Sequence, residues 1–228
     1  MKIILLLLLL LCAAPAVGFL QVYNFLDAGD TLRLRVGPQP LTGGALQPGR
    51  ASSVIMLPSG NHHLTLETDS YAPQHYRLSL GKGESLTLCV IYRYEAGFTS
   101  PQLLLLSNVA PSQQHAVPLK IHSACTHPVT VQLHGTSLSI PPRSTVAYPG
   151  WNGRSFSTVI QGHAQSPLQP EEPIGHTLLI WKHALKGYRT ALIPRYQYTP
   201  PQQLNTDGTF GRPRAAIKGL IPLAPSSE

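Results

Sequence analysis

The sequence predicts an all-β chain made of two tandem β-sandwich domains, and three observations carry that prediction. Apolar residues alternate with polar ones at a period of two: Leu20 and Val22 with Gln21 and Tyr23, then Leu32, Leu34 and Val36 with Thr31, Arg33 and Arg35. That period marks strands with one buried face. The 228 residues include 22 prolines and 19 glycines, only 12% are charged, and few stretches carry a helical period, which suits many short strands joined by turns. Finally, an order of strand, turn, strand, glycine, proline, arginine and strand that starts near Phe19 starts again near Val117. A shared order of this kind is the signature of an internal repeat.

The first domain is expected over residues 19–107. Its opening strand, centred on Leu20-Gln21-Val22-Tyr23-Asn24, turns at Asp27-Ala28-Gly29-Asp30 into a hairpin partner that Gly37 ends. A loop of turn formers follows, including Pro38-Gln39-Pro40 and Thr42-Gly43-Gly44. A third strand is expected over 52–57, then a turn at Pro58-Ser59-Gly60-Asn61, where proline presets φ and glycine permits a positive one. Further strands are expected over 63–67, 76–80 and 86–93. The seventh, over 102–107, has little polar relief and reads as buried on both faces.

A short polar linker, 108–116, leads to the second domain, 117–193. There Val117, Leu119 and Ile121 alternate with Pro118, Lys120 and His122. A turn at 124–128 returns the chain through Val129, Val131 and Leu133 as a hairpin, and Gly135 closes it as Gly37 closes the first. Strands follow at 145–148 and 155–161, then a proline-rich excursion over 162–175. A last hairpin, 176–181 with 188–193, turns around Leu185-Lys186-Gly187. Residues 194–228 shift in composition and read as a flexible basic tail. About seven short strands per unit is the count of a small sandwich.

Residues 1–18 read as a secretory signal peptide. Lys2 supplies the positive end, residues 3–11 form an unbroken apolar run, and Ala14-Pro15-Ala16 or Ala16-Val17-Gly18 supplies small residues for cleavage. The run is shorter than the roughly 20 residues a spanning helix needs. The alternatives are a retained anchor and a lipoprotein at Cys12, for which Leu11 is too large. Export leaves about 210 residues and two cysteines, Cys89 and Cys125, in a compartment that allows a disulfide. A Cys89–Cys125 bond would have to cross between the domains.

Seventeen basic residues against 10 acidic ones give a net charge of +7. Lysines and arginines are scattered, so nucleic acid is not an expected partner. An anionic polysaccharide or a lipid headgroup is the polyanion an exported basic protein meets.

The chemistry-bearing motifs are sparse. A serine nucleophile elbow needs G-x-S-x-G, and Gly135-Thr136-Ser137-Leu138-Ser139 lacks its last glycine and leads into a strand. Gly29-Asp30-Thr31 sits in a turn. Seven of the 10 histidines fall in or beside the second domain, yet zinc needs three or four converging ligands. His62 and His63 point to opposite faces of a strand. On the hairpin pairing above, His122 and His134 lie at opposite ends. Glu171 and Glu172, the only carboxylates of the second domain, are adjacent in a loop and make a poor glycosidase pair. Trp151, in the exposed-looking turn Tyr148-Pro149-Gly150-Trp151-Asn152-Gly153-Arg154, is the candidate platform for a sugar ring, with Arg154 beside it. Its other reading is a cap on the domain core.

The opening strand Leu20-Gln21-Val22-Tyr23-Asn24, the partner ending Val36-Gly37, the block Leu57-Pro58-Ser59-Gly60 before Leu64-Thr65-Leu66, the strand 86–91 and the second opening strand 118–122 together resemble the periplasmic accessory protein (F component) of alginate O-acetylation. The first domain also resembles a bacterial cell-envelope β-domain of undefined function. The proline-rich excursion and histidines of the second domain depart from the pattern. The resemblance implies two β-sandwiches, no catalytic residues and no cofactor. It implies a periplasmic adaptor that links the proteins of an envelope exopolysaccharide acetylation complex, or presents polymer to them. A stand-alone carbohydrate-binding envelope protein, and an acetyl-esterase or acetyltransferase with an unfamiliar serine site, are the rival expectations.

Overall fold

The computed structural model describes residues 16–95, 98–108, 119–149, 151, 153–170 and 175–195. Residues 109–118, which hold all of the linker but Asn108, therefore lie outside the described residues, as do most of the leader, Glu171 and Glu172, and the tail beyond Arg195. The fold is all-β. The first domain contains β1 (Val17–Asn24), β2 (Leu32–Val36), β3 (Gln39–Pro40), β4 (Ile55–Pro58), β5 (Gly60–Thr68), β6 (Gln74–Leu80), β7 (Ser85–Glu95) and β8 (Phe98–Ser107). The second contains β9 (Leu119–Ser123), β10 (Val129–Leu133), β11 (Thr136–Ile140), β12 (Thr145–Tyr148), β13 (Thr158–Ile160), β14 (His163–Ala164), β15 (His176–His183) and β16 (Gly187–Pro194).

The repeat is one of topology as well as motif. The first domain stacks a sheet of order β4-β1-β7-β8 on one of order β3-β2-β5-β6. The second stacks β12-β9-β15-β16 on β11-β10-β13-β14, the same order eight strands later. Each domain has one parallel pair, β1 with β7 and β9 with β15, among antiparallel neighbours. A parallel pair needs a long crossover, and the strands between its members supply it by building the second sheet.

This topology corrects the expected opening hairpins. β1 and β2 lie in different sheets, as do β9 and β10. Each turn is an arch over the core, so the alternating apolar residues of the two strands face each other instead of lying side by side. Leu20, Val22, Leu32 and Leu34 are fully buried in one cluster, and Leu119, Ile121, Val129 and Val131 in its twin. Alternation is the same for a hairpin and an arch, so the pattern alone could not separate them. The arches are held alike. Asn24, fully buried, accepts a bond from the Leu26 N–H and donates to the carbonyls of Asp30 and Leu46. Ser123, equally buried at the matching position, accepts from the Cys125 N–H. Gly37 (φ 55°) and Gly135 (φ 80°) end β2 and the β10–β11 turn in the left-handed region that glycine tolerates.

The short strands β3 and β14 were not foreseen: each is two residues long, and β14 lies in the expected loop excursion. β8 is an edge strand, with Leu105 49% exposed, and is not buried on both faces as its composition suggested. Its Pro101, which cannot donate to a ladder, is tolerated at an edge. β1 starts at Val17, inside the segment read as leader. The Val17 carbonyl accepts a bond from the Gly83 N–H at 2.7 Å. A Cβ added at Gly18 would lie 2.4 Å from Leu80 Cγ. Cleavage after Ala16 would leave β1 whole, whereas cleavage after Gly18 would remove its first two residues. At the other end β16 runs through Pro194, the first residue assigned to the tail.

The two sandwiches stack through their equivalent sheets. The face of β1, β7 and β8 turned away from the first core carries Cys89, Ile91, Leu104 and Leu106. It packs on Ala124, Leu179, Trp181, Ala191 and Ile193 of the second domain, and the result is four sheets in series with three apolar layers. Phe25 lies 5.5 Å from Trp181, ring centre to ring centre. Cys89 and Cys125 are buried, free and in different apolar clusters, so no disulfide joins the two.

Leu34→Ala, in the first core, is expected to cost about 2–5 kcal/mol of unfolding free energy, as large-to-small core changes do. Urea unfolding of the variant measures it, and a loss well under about 1 kcal/mol would contradict the core assignment.

Candidate functional site

The face of β2, β5 and β6 that points away from the first core is set by strand parity. Leu32, Leu34, Leu64, Leu66, Leu78 and Leu80 point inward and are buried. Their neighbours Arg33, Arg35, His63, Thr65, Glu67, His75 and Arg77 must therefore point outward. Register brings them together across strands: Arg33 faces Glu67, Arg35 faces Thr65, which faces His75, and His63 faces Arg77.

Beside Arg33 and Arg35 the 37–44 loop folds back over β2. Between loop and sheet runs an open groove of about 270 Å³, with the two arginines and Glu67 on its floor and Pro38, Pro40, Thr42 and Gly44 along its wall. The Arg35 guanidinium donates to the Pro38 carbonyl at 3.3 Å and to Glu67 Oε1 at 3.4 Å. Arg33 donates to Asp69 Oδ1 at 3.3 Å. These are long contacts between half-exposed groups, and such pairs contribute roughly 0–1 kcal/mol. Asp69 is committed elsewhere. Thr31 donates to it from its hydroxyl at 2.6 Å and its N–H at 3.0 Å. Those bonds, helped by the charge of Arg33, hold the Asp69 carboxyl below the ordinary aspartate range against the opposing push of desolvation. A guanidinium carries five N–H donors, so both arginines keep most of theirs for the groove.

The second domain has the same face without the charge. Thr130 and Gln132 occupy the positions of Arg33 and Arg35 and are exposed, and Ser137 sits opposite Gln132. The fold does not require cations there, because its own twin manages without them.

A second polar cluster closes the junction of the domains. His183, at the end of β15, is 7% exposed and makes a 2.5 Å contact to Asp27 Oδ2 in the β1–β2 arch. Its Nδ1 accepts the N–H groups of Leu185 and Lys186 at 3.1 Å each. Those donors fix Nδ1 as the acceptor, so Nε2 carries the proton donated to Asp27. Lys186 Nζ reaches Asp27 Oδ1 at 2.8 Å, and Tyr92 meets the His183 ring edge-on. Burial pushes the Asp27 carboxyl up, but the hydrogen bonds from Lys186 and His183, with the charge of Lys186, outweigh it and leave the carboxyl below its ordinary value. Nearby, a cavity of about 20 Å³ between Tyr92, Arg93, Cys125, His127, Trp181 and Lys182 has room for about one water, so the junction is closely packed.

The residues singled out in sequence are scattered. Trp151 is 6% exposed, packs on Phe156 and His176, and donates its indole N–H to the Arg154 carbonyl at 3.0 Å. It fills the second core and presents no open ring to a sugar, while the Arg154 side chain is at the surface. Ser137 lies on the exposed face of β11, and Thr31 is engaged with Asp69. His62 donates from Nε2 to the Pro58 carbonyl, and His122 pairs with Thr145, its burial lowering its basicity. The expected spacing of His122 from His134 rested on a hairpin that the two sheets replace. No group of three metal-ligating side chains converges among the described residues. The Arg33–Arg35 groove was not singled out in the sequence. Its signal was there as the R-x-R of β2, followed by a proline- and glycine-rich loop.

The chain matches no family model and no curated protein. Among solved structures it is similar to CBMbc, a family CBM26 domain of Eubacterium rectale Amy13K crystallised with maltoheptaose. The two are 11% identical over 81% of this chain and 98% of that one, with a TM-score of 0.26. That likeness is too low to carry an argument about fold or ligand.

The lowered pKa of Asp27 makes a pH prediction. A carboxyl whose pKa is lowered by folding adds stability above its unfolded value, about 3.9. That stability is lost as pH falls through the folded value. The difference in melting temperature between the wild-type protein and Asp27→Asn is therefore expected to be steady near pH 6 and to shrink below about pH 4. A difference that stays constant across that range would remove Asp27 from the junction's energetics.

Proposed function

We propose that this chain is a non-catalytic adaptor, exported to the bacterial periplasm, that serves envelope exopolysaccharide O-acetylation of the alginate type. The observation that carries the reading is the stacking of the two sandwiches. Their shared apolar layer uses up the inner sheet faces and leaves two outer sheets, on opposite sides of one body, with different surfaces. One is rich in arginine and histidine, the other in threonine, serine and glutamine. A body of this kind can hold two unlike molecules at a fixed spacing, which is an adaptor's task. Open sheet edges such as β8 add places for a partner strand. The sequence resemblance to the acetylation accessory proteins, from Phe19 to Ile193, supports the same reading and supplies the pathway.

A stand-alone carbohydrate-binding role is the second reading. The basic groove favours it, and the buried Trp151 does not.

Affinity capture with a tagged full chain from cell envelopes tests the proposal. Membrane-bound O-acyltransferase and periplasmic acetylation proteins are expected to co-purify, and deletion of the gene is expected to abolish polymer acetylation. Unchanged acetylation, with none of those proteins captured, would overturn it.

A further inference from the structure

We propose that the Arg33–Arg35 groove of the first domain binds a carboxylated polysaccharide strand, a polyuronate, along the outer face of β2, β5 and β6. The inference rests on the polysaccharide pathway proposed above and adds the site and the ligand's chemistry.

Four observations converge on this site. The groove is open and unfilled by side chains, with Arg33 and Arg35 half exposed on its floor. Arginine's planar fork matches a carboxylate bidentately, with two parallel N–H···O bonds. The floor's carboxylates do not saturate the forks. Asp69 is bonded mainly to Thr31, and the Glu67 and Asp69 contacts to arginine are 3.3–3.4 Å long. They are long enough to orient a guanidinium and still leave donors for a ligand. The wall opposite is made by Pro38 and Pro40, exposed rings that can lie against the C–H face of a sugar.

The site also extends beyond the groove. Register carries the line from Arg35 through Thr65 to His75, and the next row out pairs His63 with Arg77. This lays basic side chains across three strands, as a polymer requires and a small anion does not. The twin domain supplies the internal comparison. With the same strand order it carries Thr130 and Gln132 at the arginine positions. The cations are therefore an addition to the fold.

Native electrophoresis of the full chain through gels containing polygalacturonate, dextran sulfate or neutral dextran tests this directly. The wild-type protein is expected to be retarded by polygalacturonate, less by dextran sulfate and not by dextran. Arg33→Ala with Arg35→Ala is expected to weaken polygalacturonate binding by about tenfold or more. Arg33→Lys with Arg35→Lys, which keeps the charge and loses the fork, is expected to fall between. Arg154→Ala, at the surface of the other domain, is expected to bind as wild type. Melting temperatures report whether each variant is folded.

Several results would overturn the site. They are no retardation of the wild type, equal retention by dextran sulfate, full binding by the double lysine variant, or an equal loss in Arg154→Ala. If acetylation proteins are still captured while polygalacturonate is not bound, the site fails and the adaptor reading stands. If the double alanine variant loses those proteins and polygalacturonate never bound, the groove belongs to a protein partner and the polyuronate assignment is wrong. If polygalacturonate binds through the groove but neither capture nor acetylation follows, the site stands and the adaptor reading fails.

Discussion

The constraint on which the structure depends is that one sheet of each sandwich must be apolar on both of its faces. β1 is buried along most of its length, and β15 at every position but Lys182. One face of each fills a sandwich core, and the other forms the layer between the sandwiches. Eight buried side chains make that layer, among them Trp181, Leu179, Ile91 and Ile193. Burial of a large apolar side chain is worth roughly 1.5–3 kcal/mol. A half-exposed ion pair such as Asp27 with Lys186 is worth about 0–1 kcal/mol. Hydrophobic contact therefore holds the domains together, and the Asp27–His183–Lys186 cluster sets how the β1–β2 arch meets the β15–β16 turn.

That division fixes what the rest of the surface can do. Inner sheets are spent on packing, so variation between the two copies accumulates on the outer sheets. The inward leucines of β2, β5 and β6 and the inward valines of β10 do the same work in both domains. Between them, arginines on one side and hydroxyls and amides on the other answer to no packing requirement. A body with unlike outer faces is a direct outcome of joining two copies through the same sheet.

Much of this architecture was legible in the residues. Alternation located most of the longer strands, and Gly37 and Gly135 marked matching turns because both need positive φ. The repeat of motifs foretold the repeat of topology. What stayed hidden was pairing. Leu20 to Val36 reads alike as hairpin or arch, since alternation shows which residues face a core and not which strand lies alongside. The two-residue strands β3 and β14 are too short for any period. The layer between the domains left one readable trace, the double-faced apolar pattern of Leu88-Cys89-Val90-Ile91 and Leu178-Leu179-Ile180-Trp181, which a sandwich with a solvated outer face would not carry. Trp151 looked exposed because its neighbours are turn formers. Its burial comes from Phe156 and His176, and His176 is 25 residues away in sequence. The arginine groove depends on the fold-back of the 37–44 loop, which composition does not encode.

The central claim is that the two sandwiches form one body. Scanning calorimetry of the full chain tests it most directly. A shared apolar layer predicts a single unfolding transition whose calorimetric and van't Hoff enthalpies agree, and its replacement by two separate transitions in Trp181→Asp, which puts a charge into that layer. Two independent transitions in the wild-type protein would contradict the account.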